Sequence, residues 1–264
     1  GLANNAGAAI LLVTLVSLAA SWINWGFGLV VGALFAKELA RVIRVDYRLL
    51  VASAYSGFVV WHGGLAGSVP LTIATDGHFS VEQIGVIGTS ETIFSYFNLL
   101  IVLALFIAVP LVNRLMLPGE KESVYVDPAL LGDDEDRRVR ITRPAERLEN
   151  SMTLALLVGV PGLIYLISYF VGGGGLNLNV VNFMFLFLAI ILHRTPQSLL
   201  NSLHEGIKGG AGIVIQFPFY AGIMAIMIQS GLAETMSEAM ISFATETSLP
   251  FWTFLSAGIV NMFV

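Results

Sequence analysis

Hydrophobic residues occur along this chain in long runs, several of them about the 20 residues that a helix needs to cross a bilayer. The first run, 1–36, contains no charged residue. The later apolar windows are 49–75, 93–113, 152–171, 176–192, 211–230 and 250–264. We expect a turn at "GGGG" between 171 and 176, and a kink at Pro218. The pattern predicts an all-α polytopic membrane protein.

Two amphipathic segments separate the later windows. In 195–208, apolar residues share one helix face: Leu199, Leu200, Leu203 and Ile207. In 231–246, the corresponding residues are Leu232, Met236, Met240 and Phe243, opposite Glu234 and Glu238. Beside so many apolar windows, this pattern favours helices that lie in the membrane plane. Ordinary surface helices on soluble loops are the alternative.

The opening run has the wrong length for simple spans. As one helix, its 36 residues would extend about 54 Å, against a hydrocarbon core of about 30 Å. Two full spans and a turn would need more residues. We therefore predict a re-entrant hairpin with arms at 8–20 and 27–43, a tip "SWINWG" at 21–26, and both ends in the cytoplasm. One straight span with a frayed end is the alternative.

The predicted tip carries turn-forming and polar residues. Backbone at that depth must be buried in protein or face a watery cavity. Gly26 permits a turn, while Ser21 and Asn24 can satisfy backbone groups or bind a ligand. The second arm would direct the partial positive charge of its N-terminus at the tip, which suits a small anion. Trp22 and Trp25 fit either an interfacial aromatic belt or a cavity lining.

A second break occurs at "WHGGLAGSVPLTIAT", residues 61–75. The residues that disfavour an ordinary helix there are Gly63, Gly64, Gly67 and Pro70. His62 handles substrate or protons in one interpretation and holds the unwound segment in the other. Discontinuous helices that meet in mid-membrane build the binding sites of many secondary transporters. The candidate site residues are Ser21, Asn24, Gly26, His62, Gly63, Gly64, Ser68 and Thr72.

Composition and charge support the membrane assignment and predict an orientation. The chain is 56% hydrophobic and 12% charged, with a mean hydropathy of +0.82. All 13 Lys and Arg residues fall in three connections, 37–48, 114–150 and 193–210. The positive-inside rule places these connections in the cytoplasm. The connections predicted on the other side, 76–92 and 231–249, carry acidic residues and no basic one.

The sequence offers little for catalysis. It has no cysteine, no HExxH, Walker A or GxSxG motif, and no carboxylate cluster within the spans. We predict no enzyme activity, no cofactor and no nucleic-acid partner. A cation/proton antiporter would normally show an embedded carboxylate, and Glu91, at the mouth of one span, is the only candidate. Because the chain begins without Met and stops inside an apolar run, we expect an internal fragment of a longer protein.

Three segments carry a family resemblance: "SWINWGFGLVVGALFAKELAR", "WHGGLAGSVPL" and the terminal "GIVNMFV". The chain resembles the short-chain fatty acid transporter family, the acetoacetate/butyrate permeases of the ion transporter superfamily. The resemblance implies a symporter of short monocarboxylates in the bacterial inner membrane. It also implies an elevator-type fold with a scaffold domain, two opposed hairpins in inverted repeats, and a dimer. Ser21, Asn24 and Gly26 map to the first tip, and 62–68 to the broken helix facing it, whereas the second tip would follow Val264.

This resemblance, with the pattern of spans, predicts five regions. They are the first hairpin and broken helix of the transport domain (1–75), a transmembrane helix closing the first repeat (76–116), a charged cytoplasmic linker (117–149), scaffold helices with an interfacial arm (150–210), and the second-repeat helix, interfacial helix and start of a truncated hairpin (211–264).

The residues also constrain the mechanism. No membrane-embedded Lys or Arg is present to pair with a carboxylate, and burying an unpaired carboxylate is costly. Its charge would be met by helix N-termini, hydroxyl or amide donors, a co-transported cation, or protonated His62. The coupling ion, H⁺ or Na⁺, stays open, as does any metal site. Trp22, Trp25 and Phe27 suit a short alkyl tail. A di- or tricarboxylate or Na⁺/H⁺ transporter of the same superfamily, or a non-transporting scaffold, is the alternative.

Overall fold

The computed structural model describes residues 5–131 and 143–263, without the side chains of 205, 208–211, 213 and 260–263. Within these ranges all regular structure is helical. The helices are α1 (Ala6–Ile23), α2 (Trp25–Val42), α3 (Tyr47–Ser56), α4 (Ser68–Ile73), α5 (Val81–Ile84), α6 (Tyr96–Leu115), α7 (Pro144–Glu149), α8 (Met152–Val171), α9 (Leu178–His193), α10 (Pro196–Gln229), α11 (Leu232–Ile241) and α12 (Leu249–Phe263), with 3₁₀ segments at Gly57–Gly63 and Pro128–Leu131.

Four stretches of the described chain are long and apolar enough to cross a membrane. They are α1, the interrupted stretch Tyr47–Ile73, α6 and α8. The number rises to six if each of two bent helix pairs is counted as one span. The prediction of an all-α polytopic membrane protein with broken helices is confirmed, and α8 has the predicted bounds.

The opening run is a helical hairpin with a much tighter turn than predicted, and its re-entrant course through the membrane stays a prediction. α1 and α2 pack against each other and are joined by one non-helical residue, Asn24. The Asn24 N–H donates to the Ala20 carbonyl, while its Oδ1 accepts from the Phe27 N–H at 3.0 Å. Asn24 therefore ends one helix and caps the next, and the prediction of a six-residue irregular tip is wrong. Each arm has 18 residues, or about 27 Å.

α1 lies at the centre of the first unit. α2, α3, the segment Gly57–Gly63 and α6 all pack against it. At Gly57 the approach is close, because a Cβ there would lie 2.6 Å from the backbone of Ser17 and Leu18. The apolar core beside the hairpin consists of Ala9, Ile10, Val13, Ala36, Leu39, Val45, Leu49, Leu50 and Ala54.

The segment after α6 folds back onto the α2–α3 connection through Asp46, a buried carboxylate. Its Oδ1 accepts from the Leu49 N–H at 2.9 Å, and its Oδ2 from the Val124 N–H at 2.7 Å and from Arg48 at 2.9 Å. Burial alone would raise the pKa of Asp46, but these hydrogen bonds outweigh burial and lower the pKa to about 2. The predicted linker 117–149 thus begins as an attached segment. Its run "GDDEDRRVR" lies outside the described residues.

The α8–α9 pair follows α7 and forms a second contact between helices. The turn at "GGGG" is confirmed, and Gly173 there has a φ of +86°. Ser151 and Asn177 cap the two helices by accepting from Leu154 and Val180. The ring contact of Phe183 with Tyr165 joins the pair, and within α9 the Phe183 ring also contacts that of Phe187.

The chain divides into two compact units, Gly1–Pro196 and Gln197–Val264. The segments 195–208 and 211–230 were predicted as separate helices, but all of their residues except Thr195 and Ser230 lie within α10, which continues through Pro218. Val214–Gln229 and α11 meet at 64°, and α11 packs against α12. α11 ends at Ile241, so Phe243 lies beyond its amphipathic face and instead contacts the Trp252 ring.

Candidate functional site

The hairpin turn and the second helix break lie together. α3 tightens into the 3₁₀ segment Gly57–Gly63, the chain leaves helical geometry at 64–67, and α4 begins at Ser68. In this gap the Leu65 N–H donates to the Trp22 carbonyl at 2.7 Å. Gly64 is buried, and a Cβ there would overlap that same carbonyl. The sequence therefore needs glycine at 64 for the break to reach the hairpin.

Two polar hydrogens at the hairpin turn have no acceptor. Ser21 is 1% exposed, and its Oγ is buried without a hydrogen-bond partner. The Trp22 Nε1, a donor with no acceptor capacity, is also buried and unpartnered. An unsatisfied buried polar group costs about 1–3 kcal/mol, and such groups in native structures call for an explanation such as a ligand or an ordered water.

Asn24 and Gly26 shape the turn. The Asn24 Oδ1 is engaged by the Phe27 N–H, so capping uses the oxygen that was predicted as a possible ligand. Gly26 lies in the first turn of α2, where a Cβ would be 3.4 Å from that oxygen. Because α2 begins here, the partial positive charge of its N-terminus is placed beside Ser21 and Trp22.

The remaining predicted residues lie along the break and α4. His62 is exposed, and its ring lies 4.0 Å from that of Trp61. The Gly63 carbonyl accepts from Asn98 at 3.1 Å. Thr72 donates to the Ser68 carbonyl at 2.7 Å within α4.

The structure thus brings four of the eight predicted residues to the turn, namely Ser21, Asn24, Gly26 and Gly64. It places Gly63 next to them. No described hydrogen bond joins His62, Ser68 or Thr72 to the hairpin turn.

An aromatic wall stands beside the turn. The Trp25 ring contacts those of Phe58 and Trp61, with centroids 6.5 and 5.8 Å apart, and Phe58 stacks on Trp61 at 5.1 Å. Trp25 therefore packs against the broken helix. The wall is apolar and adjoins the unpartnered Ser21 and Trp22 donors along the chain.

Asn98, which the sequence reasoning missed, holds the break in place. Its Nδ2 donates to the carbonyls of Gly63, at 3.1 Å, and Ile93, at 2.7 Å. The signal was available, because Asn98 is a lone amide near the start of the apolar run "YFNLLIVLALF". Polar side chains in such helices commonly bond across to a neighbour.

The polar groups at the turn are neutral. Ser21, Trp22 and Asn24 provide hydroxyl, indole and amide groups, and no ion pair involves them in the described chain. Among the described residues, no group of three or more His, Cys, Asp or Glu side chains could hold a metal ion. What the turn can offer a ligand is hydrogen-bond donors and a helix dipole, which suits a small anion.

Comparison with known proteins identifies the family. The model of the short chain fatty acid transporter family matches residues 1–264. A protein of Escherichia coli (strain K12) is 42% identical over 261 residues, covering 97% of this chain and 59% of the relative. A protein of Haemophilus influenzae (strain ATCC 51907 / DSM 11121 / KW20 / Rd) is 40% identical over 267 residues, covering 97% and 60%. Both are named as candidate short-chain fatty acid transporters.

The chain spans about three fifths of the length of these relatives. No solved structure matches it significantly. A family of transporters also confirms the prediction that the protein is not an enzyme. The match over the whole sequence and the two relatives agree with the resemblance seen in its motifs, and the chain belongs to the short chain fatty acid transporter family.

Proposed function

We propose that the protein is a secondary active transporter that takes up short-chain fatty acids, such as acetoacetate and butyrate, together with a cation. One observation carries the proposal beyond family membership. The hairpin turn at Asn24 meets a helix break at Gly64, where the Ser21 Oγ and the Trp22 Nε1 are buried without partners. Discontinuous helices with free polar groups are typical of transporter binding sites.

The carboxylate of the substrate would be recognised by neutral donors. The Ser21 hydroxyl, the Trp22 indole and the N-terminal end of α2 supply polar hydrogens and a positive dipole. Hydrogen bonds to a charged group contribute about 1.5–3 kcal/mol each. Because no Lys or Arg is present at the turn, a co-transported cation would offset the rest of the charge.

The alkyl tail of the substrate would lie against the aromatic wall. Trp25, Phe58 and Trp61 form an apolar surface and offer no cation for a second carboxylate. Burial of each CH₂ group contributes about 0.8 kcal/mol. This arrangement favours monocarboxylates over di- or tricarboxylates.

His62 is the histidine of the stretch Tyr47–Ile73. We propose that it carries the proton if H⁺ is the coupling ion. It lies on the exposed side of the break, next to Trp61. Gly63, Ser68 and Thr72 complete the proposed binding segment. We further propose a homodimeric elevator-type protein of the bacterial inner membrane, with 37–48, 114–150 and 193–210 in the cytoplasm, on the basis of the Lys and Arg distribution.

Uptake into vesicles that contain the full-length protein tests the proposal. Labelled butyrate and acetoacetate are offered with H⁺ and Na⁺ gradients imposed separately. We expect one gradient to drive uptake, with weak competition by succinate and citrate. Dicarboxylate uptake or Na⁺/H⁺ exchange in place of monocarboxylate uptake would contradict the substrate assignment. The absence of any transport would contradict the transporter proposal and favour the alternative of a non-transporting membrane scaffold.

A further inference from the structure

A second group of polar side chains, buried except for the half-buried Ser56, lies away from the hairpin turn, between α1, α3 and α6. We call Thr14, Ser17, Ser53, Ser56 and Asn113 the polar cluster. Thr14 and Ser53 are 0% exposed, and Ser17 is 1% exposed. Asn113, on α6, is also buried. The proposed carboxylate site uses none of these residues.

Three hydroxyl groups of the polar cluster donate their protons to backbone carbonyls. Thr14 donates to the Ile10 carbonyl at 2.7 Å, Ser17 to the Ala54 carbonyl, and Ser56 to the Ser53 carbonyl at 2.8 Å. A hydroxyl whose proton is engaged offers only its lone pairs. The Asn113 Nδ2 bridges two of these oxygens, on Thr14 at 3.1 Å and on Ser56 at 2.8 Å.

Ser53 is the residue that this network leaves unexplained. Its Oγ is fully buried and has no hydrogen-bond partner. On α3 it immediately precedes Ala54, whose carbonyl accepts from Ser17, and lies three residues before Ser56, which meets Asn113. An alanine would avoid the penalty of an unsatisfied hydroxyl, about 1–3 kcal/mol, if the cluster served only to join helices.

We infer that the polar cluster is a binding site for a dehydrated Na⁺ ion. Its groups are neutral oxygens from three helices, close to the point where α3 tightens into a 3₁₀ segment. Transporters coordinate Na⁺ at helix discontinuities with neutral backbone carbonyl oxygens, and hydroxyl and amide oxygens are neutral ligands of the same kind, whereas Ca²⁺ and Mg²⁺ sites normally include carboxylates. Asn113 contributes its amide oxygen when the amide rotates, because the group has both a donor and an acceptor end.

The polar cluster is connected to the carboxylate site through α1. Thr14, Ser17 and Ser21 follow one another at helical spacing and are all buried. Thr14 and Ser21 are therefore about 10 Å apart along the helix, close enough for a bound cation to favour a bound anion. This coupling rests on the proposed function, but Na⁺ binding itself does not.

The test uses the purified full-length protein in detergent. Binding of ²²Na⁺ is measured directly, and thermal unfolding is compared in NaCl, KCl and choline chloride at one ionic strength. We expect saturable ²²Na⁺ binding and a rise in Tm that is specific to NaCl. Ser53→Ala should raise the Na⁺ concentration for the half-maximal effect about tenfold or more, since it removes a ligand worth about 1.4 kcal/mol.

Matched variants separate a ligand from a structural role. Ser256→Ala is the control, because Ser256 is a buried serine of α12 that bonds only within its own helix, to Thr253. It should leave the Na⁺ response unchanged. Thr14→Val is the second variant, for use if Ser53→Ala cannot be purified. It keeps the shape of the side chain but removes a second proposed ligand, so it should also weaken Na⁺ binding.

Three results would overturn the inference. The wild-type protein could show no saturable ²²Na⁺ binding, KCl could stabilise it as well as NaCl does, or Ser53→Ala could retain the full Na⁺ response. If Na⁺ binding is absent while butyrate uptake persists, the Na⁺ site alone is wrong. If Na⁺ binds but no monocarboxylate is taken up, the proposed function is wrong and the site stands.

Discussion

α1 and α8 have almost the same mean hydropathy, 2.1 and 2.2, yet they lie in different surroundings. The most apolar window of α1 is 44% buried within the protein, and that of α8 is 22% buried. The buried residues of α8 are Ala155, Gly159, Gly162 and Leu166, whereas those of α1 include Thr14, Ser17 and Ser21. Polar residues on a buried face, rather than overall hydropathy, distinguish the helix that bears the candidate sites.

The two helices also differ in what their neighbours can tolerate. Gly159 and Gly162 of α8 face the side chains of Ile191 and Phe187, which would have to shift to admit a Cβ. The partners of α1 bring backbone against backbone, as Gly64 does with Trp22. The α8–α9 contact is therefore adjustable, while the hairpin region has one arrangement. The division into a scaffold at 150–210 and a substrate site at 1–75 stays a prediction.

The largest effect is expected from Gly64→Ala. Its Cβ would overlap the Trp22 carbonyl, so the break would move away and the Leu65 hydrogen bond would be lost. We expect the loss of nearly all butyrate uptake at normal membrane levels of the protein. Gly159→Ala, which meets only the side chains of Ile191 and Ile190, should keep at least half of the uptake. The assay is vesicle uptake normalised to the amount of protein.

Gly222→Ala is the benign control for this pair, because nothing lies within 4 Å of a Cβ at that position of α10. Equal uptake by the Gly64→Ala and Gly159→Ala variants would remove the distinction between a rigid hairpin region and an adjustable helix pair.

Ser21→Ala should have the next largest effect. The variant loses a donor to the substrate carboxylate, and a hydrogen bond to a charged group contributes about 1.5–3 kcal/mol. The KM for butyrate should rise about 10- to 100-fold. The Tm should not fall, because the Ser21 hydroxyl has no partner within the protein.

Ser168→Ala, in α8, provides the matched hydroxyl deletion outside the hairpin region and should change KM less than twofold. An unaltered KM in the Ser21→Ala variant would remove Ser21 from the proposed carboxylate site.

The sequence predicted the spans and both breaks because these depend on long apolar runs and on glycine. It did not predict the one-residue turn, since only the structure shows that Asn24 ends α1 and caps α2 at once. Asn98 and Asn113 were missed for a different reason. The sequence pattern of a single amide in an apolar helix is the same whether the side chain faces lipid, a partner helix or a ligand. Here Asn98 and Asn113 also have hydrogen-bond partners that are distant in sequence.

Asn98→Ala should have an intermediate effect. It removes the donor that holds the Gly63 and Ile93 carbonyls, each bond contributing about 1 kcal/mol. We expect uptake to fall about 5- to 10-fold because the break is less well ordered. Asn179→Ala, in α9 of the adjustable pair, should stay within twofold of wild type. The measurement is vesicle uptake normalised to the amount of protein. Wild-type uptake rates in the Asn98→Ala variant would show that the helix break does not need Asn98 to hold its position.

The smallest effect on uptake, less than twofold, is expected from Asp46→Asn, which acts on stability. The carboxylate accepts hydrogen bonds from Arg48 and two backbone N–H groups, and the variant weakens these bonds. Bonds to charged groups contribute about 1.5–3 kcal/mol, so the variant should unfold at a lower temperature at pH 7. The Ser151→Ala variant lacks the neutral N-cap of α8, so its free energy of unfolding should be lower by about 1 kcal/mol at every pH.

The pH dependence separates these two variants. Asp46 has a pKa of about 2 in the folded protein, below the value of about 3.9 for a free aspartate. Its stabilisation is therefore complete above about pH 5 and is lost as the pH falls towards the folded-state pKa. The Tm difference between wild type and Asp46→Asn should be constant from pH 7 to pH 5 and shrink below about pH 4, while the difference for Ser151→Ala stays flat. Parallel curves for both variants would mean that the charge of Asp46 does not hold the segment after α6 against the hairpin region.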